Sequence, residues 1–479
     1  MKISRRRFLA QGGAAGMGIL ALPAARAARA FPAHERLNFA IVGVAGYAAA
    51  TAFIPALHLY ENAGVTALCD VDERKIPRVY EIWKERAGTA EVYRRLLENR
   101  PKFFPDFRRM LDEAGGEIDA VVVATPDHSH AVIAAAALRA GKHVLCEKPL
   151  TINVREARAL RDLAARHRAA TSMGNQGTQS AQFRRGVELV REGVLGDVEE
   201  VILWFPRGGQ NHRQAPQGSE PVPEGFHWDL WLGPVAWRPY HPRWIARCHW
   251  RDTGAGELGN FGPHTGNLAF MALDVADLWK PGPEPARIRV RAEFSELNRL
   301  SFPRWETIRW KVPARGARPP VTFTWHHGPA PDMAPGSRDR ILALLRDHGL
   351  PKEREEKLFK SAGALLVGRR GVLLTGSHNT EITLLPERAF QGVDLSRPRT
   401  LPPSRGHYKD WVHACRGGEP PLARFEYAAT FNEFLMLGPV ATLFEDTELE
   451  YDPVAGKIVN SPEADRALGY EYREGWRLT

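Results

Sequence analysis

An apolar run from Leu37 to Val42 leads into Gly43-Val44-Ala45-Gly46-Tyr47-Ala48, and a second apolar run, Val65 to Cys69, ends at Asp70. A glycine turn after a buried strand lets a pyrophosphate meet backbone N–H groups at the next helix start, and an acid closing the second strand accepts hydrogen bonds from a ribose. The spacing is therefore that of a dinucleotide site. The turn departs from the full pattern, with Ala45 where a second glycine normally permits close approach of the pyrophosphate. A plain structural turn is the other reading of this motif taken alone. Further on, Ile118 to Ala124 is a buried strand that runs into Thr125-Pro126-Asp127-His128-Ser129-His130, and the short strand His143 to Cys146 delivers Glu147-Lys148-Pro149. Side chains at the carboxyl ends of such strands line the crevice where doubly wound sheets bind ligands.

A second concentration of chemistry lies between Trp204 and Trp250, which holds six tryptophans: Trp204, Trp228, Trp231, Trp237, Trp244 and Trp250. Aromatic faces stack on the CH faces of a pyranose while polar neighbours bond its hydroxyls. Arg207, Asn211, His212, Tyr240, His241, Arg243 and His249 supply such a set. The pattern is compatible with a carbohydrate pocket whose candidate members are Trp228, Trp231, Tyr240, His241 and Arg243; a core or subunit interface is the competing reading for each. The histidines show no HExxH spacing and the four cysteines, Cys69, Cys146, Cys248 and Cys415, no CxxC spacing, so no metal site is expected, and the cysteines read as buried free thiols.

The elements that must position these residues alternate. Strands at 37–42, 65–69, 118–124, 143–146 and 171–173 are separated by helical segments at 48–60, 131–140 and 154–167, the order of a doubly wound parallel sheet. From Ala286 the pattern changes to alternating stretches, Ile288 to Phe294, Thr307 to Val312 and Val321 to Trp325, which predict a large, mostly antiparallel sheet. The charged, helix-like stretch Ser337 to Lys360 reads as a solvated surface insertion. Pro402 to Arg405 reads as a linker into helices at 408–415 and 428–443. The fold class is α/β: a doubly wound Rossmann sheet at 31–174 followed by an α+β domain at 175–479.

Composition bounds the function. With 479 residues, 44% apolar and 25% charged, the chain is neither disordered nor a disulfide miniature. Its net charge of +9 is concentrated at the amino terminus: residues 1–30 carry Lys2, Arg5, Arg6, Arg7, Arg26 and Arg29 and no acid, and the remainder carries +3. That balance gives no electrostatic case for a nucleic-acid partner. Ser4-Arg5-Arg6-Arg7-Phe8-Leu9 resembles the twin-arginine export motif. A short apolar run from Gly12 to Leu22 and small-residue sites at Ala25-Arg26-Ala27 and Ala28-Arg29-Ala30 follow, so residues 1–30 read as a signal peptide and the protein as periplasmic or otherwise exported. No later segment is apolar for long enough to span a membrane.

Taken together, TPDHSHA (Thr125 to Ala131), AGKHVLCEKPL (Ala140 to Leu150), MGNQGTQS (Met173 to Ser180), WDLWLGP (Trp228 to Pro234), GELGNFGPH (Gly256 to His264) and GHYKDWVHACRGG (Gly406 to Gly418) resemble the Gfo/Idh/MocA oxidoreductases. The resemblance implies a bound nicotinamide and a hydride exchanged with a secondary hydroxyl of a sugar, sugar derivative or cyclitol. It places Lys148 as the residue that positions the hydroxyl and relays its proton. The family's aspartate and histidine, four apart, correspond to Asn260 and His264, and Asn260 departs from the pattern because an amide accepts no proton. Pro263 suits a first helical position, which puts His264 at the start of a helix over 264–273, where the positive end would keep the imidazole neutral. Candidate cofactor-binding residues are Gly43, Ala45, Gly46, Tyr47, Asp70, Ala124, Thr125, Pro126, His130, Glu147, Lys148, Asn175 and Gln176. Asp70 favours NAD, while Arg74 is the feature that would suit NADP. The expected partners are a small carbohydrate or cyclitol and a second copy of the chain, as dimer or tetramer. Three activities fit: a dehydrogenase or sugar-to-sugar oxidoreductase, a redox-neutral glycosidase using NAD through oxidation, elimination, addition and reduction, and a non-catalytic carbohydrate-binding relic.

Overall fold

The computed structural model describes residues 27–29, 35–44, 62–85, 90–207, 214–246, 248–283, 285–330 and 333–478. Ala45, Gly46, Tyr47, the helix expected at 48–60, Asn211, His212 and the export motif at 4–9 lie outside the described residues.

The first sheet contains β1 (Leu37–Val42), β2 (Ala63–Cys69), β3 (Lys102–Phe104), β4 (Ala120–Val123), β5 (His143–Cys146) and β6 (Thr171–Met173), all parallel in the order β3-β2-β1-β4-β5-β6. Alternation along each strand feeds two cores. Ala40, Val42, Val121 and Val123 face the helices His130–Arg139 and Val154–His167, whereas Phe39, Ile41 and Val122 face Val79, Leu96 and Trp411. With both faces covered, the strands are apolar throughout, as the sequence runs require. The order reverses between β1 and β4, and at that switch point the strand ends splay to leave a crevice.

The second sheet has nine strands: β7 (Val198–Phe205), β8 (Ile288–Phe294), β9 (Glu306–Val312), β10 (Val321–His327), β11 (Gly363–Gly368), β12 (Gly371–Gly376), β13 (Ile382–Leu385), β14 (Leu449–Asp452) and β15 (Lys457–Ile458). Their order is β13-β12-β11-β7-β10-β9-β8-β14-β15, antiparallel except for the β7–β10 pair. The helix Phe425–Ala441 joins the two halves: Phe425, Ala428 and Ala429 pack in the first core, and Phe431, Phe434 and Leu435 in the second.

Two expectations are corrected here. The 337–360 insertion is not a solvated appendage. It folds into the helices Ser337–Asp347 and Lys352–Leu358, and Ile341, Leu342, Leu345, Leu350 and Phe359 pack over Ile202, Trp204, Leu365 and Val372 on the outer face of the second sheet. Its charges occupy only the face turned to water, which is the ordinary division of an amphipathic helix. His264 does not begin a helix either. The helix runs Gly256–Thr265 with Pro263 inside it, so His264 lies in its last turn, and a separate helix follows at Asn267–Ala272. Burial of Leu258, Gly259 and Gly262 against Pro149 and Leu435 holds this stretch helical ahead of the proline, and the dipole argument reverses: the carbonyl end of the helix favours a cation, not a neutral ring. The four cysteines are buried free thiols. No helix among the described residues is long and apolar enough to cross a membrane.

Candidate active site

Gly43 closes β1 with a positive φ of 89°, and its amide donates to the Cys69 carbonyl at 2.8 Å. A Cβ at this position would overlap the Ala124 carbonyl, so only glycine lets the ends of β1 and β4 approach so closely. Beyond them opens a crevice of about 760 Å³ that runs from Asp70, past Thr125, Pro126, Glu147 and Lys148, to Asn260, His264 and His378 in the second domain. Its mixed apolar and polar walls at the switch point suit a dinucleotide. Asp70 faces it, with Oδ1 accepting from the Asp72 amide at 2.9 Å. Arg74 is turned to Asp72 instead, donating to both carboxylate oxygens at 2.7 and 2.9 Å, and lies over the Phe226 ring.

The loops after β4 and β5 are tied to each other. His130 reaches the Pro149 carbonyl at 2.7 Å through Nδ1 and the Thr125 carbonyl at 2.9 Å through Nε2. Ser129 Oγ lies 2.9 Å from the Pro126 carbonyl, to which it donates, and 2.8 Å from Thr125 Oγ1. Glu147 is buried; it accepts from the Lys148 amide at 3.0 Å, and Gly174 leaves room for its carboxylate. Asn175 donates to the Pro263 carbonyl at 2.6 Å and so ties β6 to the His264 helix, while Gln176 lines the crevice. His130 and Asn175, placed here as cofactor residues by sequence, hold the loops that form the walls.

Lys148 lies where the two domains meet. Its Nζ donates to Asn260 Oδ1 at 2.7 Å and to the Asn260 carbonyl at 3.0 Å. The other end of the same amide, Nδ2, donates to Glu257 Oε2 at 2.8 Å. Glu257, Asn260 and His264 fall on one face of the Gly256–Thr265 helix, by the i, i+3 and i+4 spacing. Phe261 forms the wall beside them, stacked on Phe205 at 4.0 Å between centroids. His378, on the turn between β12 and β13, brings its ring to 4.3 Å from that of His264. Sequence reasoning missed both Glu257 and His378: the first lay inside a quoted motif without a role, and the second in a short turn far from every motif.

The tryptophan-rich segment reaches the crevice from above. Trp231 lines it; Trp228, stacked on Trp231 at 4.9 Å, and Tyr240 pack behind. His241 accepts from the Arg243 amide at 3.1 Å in a short turn away from the crevice walls, and Arg243 is exposed. The same segment is fastened at two places. The His227 amide donates to the Val71 carbonyl at 2.9 Å, and the Glu73 amide to the Gly225 carbonyl at 3.0 Å. His128 is buried, and desolvation lowers its basicity; its Nε2 lies 2.7 Å from the Trp231 carbonyl and its Nδ1 3.3 Å from the Thr253 carbonyl, and the neutral ring donates to one of the two. The described residues of this segment, 214–246 and 248–255, therefore form a strap over the Asp70 end of the crevice. No cluster able to hold a metal occurs among the described residues.

Residues 37–175 match the family model GFO_IDH_MocA, described as an oxidoreductase family with an NAD-binding Rossmann fold. The chain spans about a quarter to two fifths of the length of the curated relatives it matches. A levoglucosan dehydrogenase of Pseudarthrobacter phenanthrenivorans is 33% identical over 23% of this chain and 27% of that enzyme. An inositol 2-dehydrogenase of Rhizobium meliloti is 32% identical over 19% of this chain and 28% of that enzyme. Among solved structures, the WlbA dehydrogenase of Bordetella pertussis, in complex with NADH and UDP-GlcNAcA, superposes with a TM-score of 0.52 at 15% identity, covering 86% of this chain and 98% of that one. That likeness extends the shared fold through the second domain. Residues 37–175 of this chain are thus similar to the NAD-binding Rossmann domain of the Gfo/Idh/MocA oxidoreductases.

Proposed function

We propose that the protein is an NAD-dependent oxidoreductase that exchanges a hydride with a secondary hydroxyl of a sugar, sugar derivative or cyclitol. The observation that carries this reading is Lys148 Nζ, held at 2.7 Å by Asn260 Oδ1 at the point where the nucleotide crevice meets Phe261 and His264. Bound NAD supplies the hydride acceptor. The chain supplies the rest. Lys148 orients the hydroxyl oxygen, His264 in the last turn of its helix accepts the hydroxyl proton, and Phe261 gives an apolar face for the ring CH groups. Asn260 cannot carry a proton; it holds Lys148, and the Glu257 carboxylate fixes which end of the amide faces the lysine. Asp70 suits a free ribose hydroxyl, and the pairing of Arg74 with Asp72 takes away the cation a 2′-phosphate would need, so NAD is preferred over NADP.

The strap over 214–255 supports tight retention of the nucleotide. With the twin-arginine motif at Ser4 to Leu9, this suits a protein exported folded with its cofactor bound, returning its hydride within each cycle. The hydride acceptor is then a second sugar, or the oxidised intermediate itself after elimination and addition, as in a redox-neutral glycosidase. The protein purified without added nucleotide should carry nicotinamide through gel filtration and turn over aldoses or cyclitols repeatedly. Protein that emerges empty and reduces no NAD with any ring alcohol would contradict the reading.

A further inference from the structure

His378 stands outside every motif that the sequence offers, yet the structure fixes it with care. The residue after it, Asn379, is fully buried and spans the junction of the two helices next to His264: its Oδ1 accepts from the Leu268 amide at 3.2 Å, and its Nδ2 donates to the Thr265 carbonyl at 3.1 Å. Asn379 adopts a left-handed φ of 54°, which its side chain tolerates better than most. On the other side, a Cβ at Gly177 would overlap the His378 carbonyl, so a glycine is needed for the turn to sit where it does. Ser377 Oγ lies 2.8 Å from His378 Nδ1 and engages that nitrogen.

Two imidazoles from distant parts of the chain consequently meet at 4.3 Å between centroids, tilted by 38°, in the crevice beside Lys148. Phe261 flanks both, at 6.1 Å from His264 and 6.3 Å from His378. Burial, and then the charge of Lys148, lower the basicity of His378, so the ring is neutral near neutral pH. With Nδ1 engaged by Ser377, Nε2 is the nitrogen for a ligand.

We propose that His378 is a substrate-binding residue that reads a second hydroxyl, on the ring carbon next to the one oxidised, so that the site selects vicinal ring diols over isolated alcohols. This rests on the reading of the crevice as an alcohol-oxidising site. Lys148 and His264 engage one oxygen; the adjoining imidazole falls where a neighbouring oxygen on the same ring would lie against the Phe261 wall.

The test uses NAD-loaded protein carrying ¹⁵N-histidine and four probes: cyclohexanol, trans-cyclohexane-1,2-diol, cyclohexane-1,4-diol and myo-inositol. The His378 Nε2 resonance, assigned by its loss in His378→Phe, should shift with the 1,2-diol and myo-inositol and stay in place with the other two. In single-turnover reduction of the nicotinamide, the preference for the 1,2-diol over cyclohexanol should fall about tenfold in His378→Phe, from loss of one hydrogen bond. His378→Gln should recover part of it, with NAD affinity unchanged in both variants. No diol-specific shift, or an undiminished preference in His378→Phe, overturns the assignment. A shift without nicotinamide reduction by any probe leaves His378 as a diol-binding residue and defeats the oxidoreductase reading; reduction without a shift does the reverse.

Discussion

An amide at position 260 holds Lys148 but takes up no proton, and the carboxylate that could do so stands one helical turn earlier, with Glu257 Oε2 at 2.8 Å from Asn260 Nδ2. In the reading proposed here, the departure of Asn260 from the pattern the sequence resembles is a displacement of the negative charge rather than its loss. Asn260→Asp alone places two carboxylates in contact, and of such a pair one retains its proton. We expect kcat/KM at neutral pH to fall about tenfold in Asn260→Asp and to recover when Glu257→Gln is added, since one carboxylate then again stands behind Lys148. Additive losses in the double variant would show that the two side chains act independently. Glu257 was present in the sequence, in GELGNFGPH, but nothing in its spacing alone told it from an ordinary exposed acid in a first helical turn. The contact that gives it a role depends on a lysine more than a hundred residues away.

Individual elements were legible where burial dictates a period. β1 and β4 are apolar throughout because both faces are covered, and β8 alternates because one of its faces meets the core and the other water. Legibility failed where tertiary contacts overrode a local preference. Pro263 favours a helix start, yet packing of Leu258, Gly259 and Gly262 carries the helix through it. The 337–360 insertion shows its charges plainly in sequence, and its apolar stripe only once Ile341 and Leu345 are seen against Trp204 and Leu365. The strap was likewise invisible, since the tryptophans suggested a pocket while its fastenings are backbone groups and His128. His128 fastens the strap through a hydrogen bond to one of its carbonyls, so His128→Ala should speed release of bound nicotinamide by about tenfold with little change in overall stability of the first sheet. Stopped-flow displacement of bound NADH measures this directly; an unchanged release rate would mean that the strap does not retain the nucleotide.

At the scale of the whole molecule, one long helix, Phe425–Ala441, packs into the cores of both sheets, and several histidines are buried. Burial holds His407 at about 4, His327 at about 4 and His326 at about 3. In the unfolded chain each titrates near about 6.5, so between those values the unfolded state binds protons the folded state refuses. Their stabilising contribution is complete above about pH 6.5 and is lost as the pH falls toward about 4, by roughly 3 kcal/mol per histidine. His407→Gln should therefore show a shallower loss of Tm between pH 7 and pH 4.5 than the parent, by calorimetry; parallel curves would place the acid sensitivity elsewhere. The proposed function is concentrated at one seam, where Lys148 from the NAD-binding domain meets Asn260 on the Gly256–Thr265 helix, which also carries His264. The most direct measurement is single-turnover nicotinamide absorbance of NAD-loaded protein mixed with cyclitols and aldoses, comparing the parent with Lys148→Ala at equal NAD occupancy. The account predicts reduction in the parent and a rate about a hundredfold lower in the variant, with NAD affinity nearly unchanged. A variant that reduces its nicotinamide as fast as the parent would contradict it.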